Sequence, residues 1–244
     1  MLEVSGISKR FGGLQAVREV SLTVPAGGIT ALIGPNGAGK TTTFAMIAGF
    51  IRPDAGRIRL SGQDVTRLRP DRIAAAGMVR TFQITQPFAG LSVLENIRVG
   101  AFLRHAETAA ATEAARAVGQ RLGLGAFLDR PASALTVAGR KRLEVARALA
   151  TQPRLLLLDE VMAGLNPTEI HEIVAMIRDI RDGGVTILLI EHIMQAVAAL
   201  ADNVYVLAEG ALIAHGTPKA IADDPRVIEA YLGRGAAARL AAHA

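Results

Sequence analysis

The sequence predicts an α/β fold with a parallel sheet, and three observations carry that prediction. Short apolar runs at 29–33, 155–158 and 185–190 have the length and composition of strands buried on both faces. Stretches with helical periodicity alternate with these runs, which is how connections lay strands parallel. Directly after the first run stands Gly34-Pro35-Asn36-Gly37-Ala38-Gly39-Lys40-Thr41-Thr42, followed by an apolar, helix-length stretch from Phe44 to Phe50. Strand, glycine-rich loop and helix in that order are the opening of an anion-binding β/α unit.

The elements follow in order. Segments 2–7, 21–24, 29–33 and 57–60 are strand candidates separated by Gly and Pro turns such as Pro25-Ala26-Gly27-Gly28. Ser92 with Glu95 three residues on is a capping-box pattern opening a helix near 92–99. From about 100 to 134 the chain is Ala-rich and polar with no strand signal, and Gly123, Gly125 and Pro131 mark loops. This stretch reads as a helical subdomain inserted between β/α elements. Leu155 to Leu158 is a buried-strand run. Asn166-Pro167-Thr168-Glu169 then supplies a cap, a proline at the first helical position and a glutamate three residues after the cap. The helix that follows carries Ile170, Ile173, Val174, Ile177 and Ile180 on one stripe. Segment 185–190 is the next strand. Segments 204–207 and 211–214 around Glu209-Gly210 form a hairpin, and terminal helices follow. Residues 233–244 are Ala/Gly/Arg-rich and expected to fray. There is no internal repeat and no disordered linker.

Bulk composition bounds the function. A chain of 244 residues buries a large core, as one two-lobed domain or two small ones. Half of the residues are apolar and the mean hydropathy is +0.33. Even so, the longest apolar run is about six residues, against the roughly 18–20 that a membrane span needs. The start, Met1-Leu2-Glu3-Val4-Ser5, has neither the basic residues nor the apolar stretch of a signal peptide. The absence of cysteine excludes disulfides and thiolate metal sites and fits a reducing compartment. A net charge of +5 raises the possibility of a nucleic-acid partner, but the 27 Lys and Arg are scattered and aromatics are only 4%. No nucleic-acid partner is expected; the charge suits a solvated face, phosphate headgroups or a protein partner.

The loop at 34–42 matches G-x-x-x-x-G-K-[ST] at every fixed position. Its three glycines let backbone N–H groups turn inward around an anion. The helix N-terminus adds partial positive charge, Lys40 adds a full one, and the Thr41 hydroxyl suits Mg²⁺. A plain glycine-rich turn is the competing reading, but Thr41-Thr42-Thr43 would be a poor first helical turn if folding alone had chosen it. By itself this loop leaves kinases, GTPases and ATPases open. Leu155-Leu156-Leu157-Leu158-Asp159-Glu160 narrows the choice by delivering two carboxylates to the end of a buried strand. The aspartate suits Mg²⁺ and the glutamate suits polarising a water for attack on a γ-phosphate.

With both motifs in place, the chain resembles the ATP-binding-cassette ATPases, the nucleotide-binding subunits of ABC transporters, and within them the branched-chain (Leu/Ile/Val) amino-acid importer ATPases. The resemblance runs over nearly the whole chain, in the family's order. It is carried by Lys9-Arg10-Phe11-Gly12-Gly13-Leu14, the phosphate loop, Val79-Arg80-Thr81-Phe82-Gln83, Arg142-Leu143-Glu144-Val145-Ala146-Arg147-Ala148-Leu149, Leu158-Asp159-Glu160, Ala163-Gly164-Leu165-Asn166-Pro167, Leu188-Leu189-Ile190-Glu191-His192, His215-Gly216-Thr217-Pro218 and Ala230-Tyr231-Leu232-Gly233. It implies a P-loop NTPase (RecA-like) core with an N-terminal antiparallel β subdomain and an inserted helical subdomain. Core and β subdomain would occupy about 1–85 and 150–232, the helical subdomain 86–149, and a flexible tail 233–244.

The resemblance also implies roles. Phe11 would stack on adenine. Gly34, Pro35, Asn36, Gly37, Ala38, Gly39, Lys40, Thr41 and Thr42 would hold the phosphates of ATP. Thr41, Gln83 and Asp159 would serve Mg²⁺, Glu160 would be the base, and His192 would bond the γ-phosphate and orient Glu160. Gln83 would sense the attacking water while its loop touches a membrane partner. The signature that clamps the ATP of a second subunit usually reads L-S-G-G-Q and here reads Leu135-Thr136-Val137-Ala138-Gly139. Thr136 keeps a hydroxyl, Ala138 adds a methyl where backbone nears phosphate, Gly139 lacks the glutamine amide, and the helix is expected over 140–150. Val161 replaces the usual proline after the glutamate. This reads as a working variant, with a degenerate site as the alternative.

The implied partners are a second cassette, identical or paralogous, membrane permease subunits and, through them, a substrate-binding protein. The implied place is the cytoplasmic face of the membrane. Competing readings are an ATPase of another small-substrate importer (urea or amides) or of a lipopolysaccharide exporter, an ATP sensor with little turnover, and a soluble ABC-type ATPase. The last usually carries two cassettes or a long coiled-coil insertion, neither of which is present.

Overall fold

The computed structural model describes residues 1–81, 87–88 and 90–233. In chain order the elements are β1 Leu2–Phe11, β2 Leu14–Val24, β3 Ile29–Ile33, α1 Lys40–Ile47, β4 Ala55–Leu60, β5 Gln63–Asp64, α2 Pro70–Ala75 and β6 Met78–Arg80. Next come α3 Val93–Ala101, α4 Thr108–Arg121, 3-10 turns at Gly125–Phe127 and Ala132–Ala134, α5 Val137–Leu149, β7 Leu155–Asp159 and α6 Pro167–Asp182. The chain closes with β8 Thr186–Ile190, α7 Met194–Leu200, β9 Asn203–Ala208, β10 Ala211–Gly216, α8 Pro218–Ala222 and α9 Pro225–Leu232. It divides into two compact units, one of Met1–Pro70 with Thr186–Ala244 and the other of Asp71–Val185.

The first unit holds an antiparallel sheet in the order β2-β1-β4-β5 and a second set of strands in the order β10-β9-β3-β8. β3 runs parallel to β8 on one side and to β9 on the other. Every residue of β3 and β8 is buried, as strands covered on both faces require. The start of β3 is pinned by Asp202, whose carboxylate accepts the Ile29 N–H at 2.8 Å while its own N–H donates to the Ile29 carbonyl at 2.8 Å. The β9–β10 hairpin turns at Glu209 and Gly210, both with positive φ, the pair a two-residue turn of this kind demands.

β1 and β2 extend to 2–11 and 14–24, well past the expected 2–7 and 21–24. Their pairing shifts register between Val4 and Ile7, again before Lys9, and again before Arg10, and Glu19 takes a φ of 48°. Each bulge breaks the alternation of apolar and polar residues, so the period by which a strand is recognised is lost there.

The second unit pairs β6 with β7 in parallel, Met78 to Leu155 through Arg80 to Leu157. Five residues of α6, Ile173, Val174, Met176, Ile177 and Ile180, are buried. Ile170, expected on that stripe, is only half-buried, and Met176 takes its place. Each such side chain contributes about 1.5–3 kcal/mol through burial. The capping boxes read at Ser92 and Asn166 are both present with reciprocal bonds.

Candidate active site

In the first unit, buried β3 delivers the chain to a loop that only glycine can form at two points. Gly34 has a φ of 151°, and a Cβ there would stand 2.0 Å from the Leu207 carbonyl oxygen. Gly39 has a φ of 99°, and its Cβ would meet the Ala16 carbonyl oxygen at 2.5 Å. The Gly210 N–H donates to the Ala38 carbonyl at 3.0 Å, so the β9–β10 turn braces the loop from behind. Lys40 opens α1 and is 7% exposed. Its Nζ folds back along the loop and donates to the Gly34 and Pro35 carbonyls at 2.8 and 3.0 Å. α1 has no side-chain cap and no acidic residue in its first turn, so its N-terminal N–H groups and dipole face the loop. That combination suits a phosphate chain. Asn36, Gly37 and Thr41 are exposed, and Pro35, Gly39 and Thr42 half-buried.

Phe11 ends β1 with 46% of its surface exposed. Lys9 Nζ lies 5.6 Å from its ring centroid. Lys9 is itself held by Asp54 at 2.6 Å, and the same carboxylate accepts the Arg10 N–H at 2.8 Å. The Lys9 hydrogen bond, with that of the Arg10 backbone, lowers the Asp54 pKa below its ordinary value. An exposed ring on an anchored strand end suits stacking against a planar ligand. His192 follows β8 and is exposed. No local sequence pattern marks Tyr231, on α9, as a neighbour of this loop, yet its phenol lies beside the Gly34 backbone. Burial pushes the phenol pKa up, while a hydrogen bond with the Gly34 backbone works the other way.

In the second unit, β7 ends on Asp159, which is fully buried. Arg80 Nη2 donates to Asp159 Oδ2 at 2.6 Å, and the arginine side chain is 8% exposed. The neighbouring Thr81 hydroxyl accepts the Asp159 N–H at 3.2 Å, and the Thr81 N–H donates to the Leu157 carbonyl at 2.9 Å. Arg80 at the end of β6 and Thr81 just after it thus fix the charge and the backbone of Asp159. A lone arginine at the end of a short strand carries no sequence signal of the carboxylate it meets. Glu160 is half-buried and takes a φ of 49°. Its carbonyl accepts from Lys141 Nζ and from the Ala163 N–H, each at 3.2 Å.

The signature segment differs from expectation in one respect. α5 begins at Val137, three residues before the expected 140, because Thr136 is its N-cap and accepts the Gly139 N–H at 3.1 Å. That places Val137, Ala138 and Gly139 inside the first helical turn. The methyl of Ala138 is 8% exposed and turned inward, whereas Val137 is 46% exposed, so the outward apolar group is that of Val137. A Cβ on Gly139 would lie 3.2 Å from Leu135 Cβ and 3.4 Å from the Thr136 hydroxyl. Gln83 lies outside the described residues.

No group of three or more His, Cys, Asp or Glu side chains that could hold a metal occurs among the described residues. Mg²⁺ is customarily held by one or two protein oxygens together with substrate phosphates. The Asp159 carboxylate and the Thr41 hydroxyl are each hard oxygen donors of that kind.

Comparison with known proteins places the chain in a family. The family described as ABC transporter matches residues 17–163, and the one described as branched-chain amino acid ATP-binding cassette transporter matches residues 211–237. The chain is 42% identical to the high-affinity branched-chain amino acid transport ATP-binding protein BraF of Pseudomonas aeruginosa, over 96% of this chain and 98% of that one. It is equally similar, with the same coverage, to the corresponding protein LivG of Escherichia coli. Among solved structures, a nucleotide-free ATP-binding cassette from an ABC transporter superposes with a TM-score of 0.88 at 33% identity, covering 96% of this chain and 99% of that one. The chain therefore belongs to the ABC transporter family, as an ATP-binding cassette of the ATPase class coupled to transport.

Proposed function

We propose that this cassette hydrolyses ATP to power import of branched-chain or related amino acids through a membrane permease, working from the cytoplasmic face. The observation that carries the substrate class is the tail at 211–237, which matches the branched-chain amino acid cassette family. Relatives named for that transport, 42% identical over nearly their full length, support it.

In the proposed mechanism Phe11 stacks on adenine, and the loop N–H groups with Lys40 hold the phosphates. Asp159 and Glu160 supply the carboxylates. Glu160 takes a proton from the attacking water as its oxygen approaches the γ-phosphorus in line with the leaving oxygen. Lys40 and His192 neutralise charge that grows on the phosphoryl oxygens. Gln83 would position the water. Thr41 and Asp159 are the residues that would hold Mg²⁺, whose charge would help neutralise the phosphates. Thr136, Ala138 and Gly139 would face the nucleotide of a second cassette, identical or paralogous, across a head-to-tail dimer. A substrate-binding protein would act through the permease.

Uptake tests the substrate class. Cells lacking this chain should lose most high-affinity uptake of radiolabelled leucine or isoleucine, and a plasmid copy should restore it where a Glu160→Gln copy does not. Unchanged leucine uptake with loss of urea or amide uptake would move the protein to that importer class.

A further inference from the structure

Lys141 lies on α5, five residues after the Thr136 cap, and is 7% exposed. Burying an ammonium is costly unless it is hydrogen-bonded. Here its Nζ donates to a backbone carbonyl, that of Glu160, at 3.2 Å. That carbonyl belongs to a residue with a φ of 49°, the left-handed region, where a residue bearing a Cβ persists only if its surroundings hold it. The Ala163 N–H donates to the same oxygen at 3.2 Å. Two donors, one of them charged, therefore converge on the peptide that sets the direction of the Glu160 side chain. The charged one comes from the helix whose first turn is the signature segment. Both ends of the contact lie in one unit of the chain, Asp71–Val185.

From this geometry we propose that Lys141 is a positioning residue. It holds the Glu160 backbone in its left-handed conformation and ties α5 to that residue. What the α5 N-terminus binds, the nucleotide of a second cassette, is thereby passed to the base of this one. The inference rests on the proposed role of Glu160. Its physical content is that displacement of α5 moves a donor attached to the Glu160 carbonyl. A misplacement of the base by about 1 Å costs up to roughly a hundredfold in rate.

The test compares Lys141→Met, which keeps the stem and removes the donor, with Lys141→Arg, which restores a cationic donor, and with Glu160→Gln. Lys141→Met should bind a fluorescent ATP analogue within about twofold of the wild type, with kcat down about ten- to a hundredfold and KM nearly unchanged. Its dependence of rate on ATP should lose cooperativity, and Lys141→Arg should recover most of both. Wild-type kcat in folded Lys141→Met overturns the proposal. So does a parallel loss of nucleotide binding, or an arginine variant no better than the methionine one, since each marks a merely structural lysine. Should Lys141→Met fail to fold, Lys141→Gln is judged by the same comparisons. Turnover retained in Glu160→Gln would instead remove the base from its role, a separate failure.

Discussion

Arg80 and Asp159 show what one residue pair decides. Both side chains are withdrawn from solvent and meet at 2.6 Å, so removing one takes a charge-assisted hydrogen bond from a buried partner. Arg80→Met is expected to cost about 3–5 kcal/mol in urea denaturation, while Arg80→Met with Asp159→Leu should recover most of it. A loss of under about 1 kcal/mol in the single variant would mean that water reaches the pair. Lys40 is the other residue with a single decisive charge. Its ammonium lies against the carbonyls of the loop, 7% exposed, where the proposed site would grip a phosphate with a partly desolvated charge. Lys40→Ala should abolish tight binding of a fluorescent nucleotide with little change in melting temperature. Wild-type affinity in that variant would take Lys40 out of the site.

At the scale of an element, the proposed mechanism gives α5 two duties on one hydroxyl. Thr136 caps the helix, and the hydroxyl hydrogen is left to donate elsewhere. Thr136→Ala should therefore cost about 1 kcal/mol of stability. It should also lower turnover and ATP-driven dimerisation while the ATP affinity of the isolated subunit stays near wild type; Thr136→Ser should restore all three. Turnover unchanged in Thr136→Ala would leave only the cap and favour the ATP-sensor reading. The exposed Val137 makes a second change informative. Val137→Gly removes the apolar group from the first helical position and should raise turnover, at up to about 1 kcal/mol in helix stability. Adding a glutamine at Gly139 is less simple, because its Cβ needs Leu135 to yield by a few tenths of an ångström.

On the scale of the whole molecule, the proposed cycle is closure of two cassettes on ATP and reopening after hydrolysis. The nucleotide-free subunit should sediment mainly as a monomer. Glu160→Gln with ATP should be trapped as a dimer, its turnover reduced by about two orders of magnitude or more. A variant that stays monomeric at high concentration with ATP, or that hydrolyses it normally, would argue against the shared site.

The sequence by itself determined the α/β class, the phosphate loop, the carboxylate strand and both capping boxes, because each is a local pattern. A buried strand is a run of apolar residues, and a cap and its glutamate stand three apart. The loop is legible because backbone that folds around an anion needs glycine at fixed offsets. Tertiary structure alone decided the reach of β1 and β2, whose bulges erase the alternation of side chains. It also decided the start of α5, where a threonine hydroxyl, and not propensity, fixes the first turn. Arg80 and Lys141 became legible only there. Each meets its partner, 79 and 19 residues away along the chain respectively, and nothing in a linear pattern states which distant atom a buried cation will satisfy.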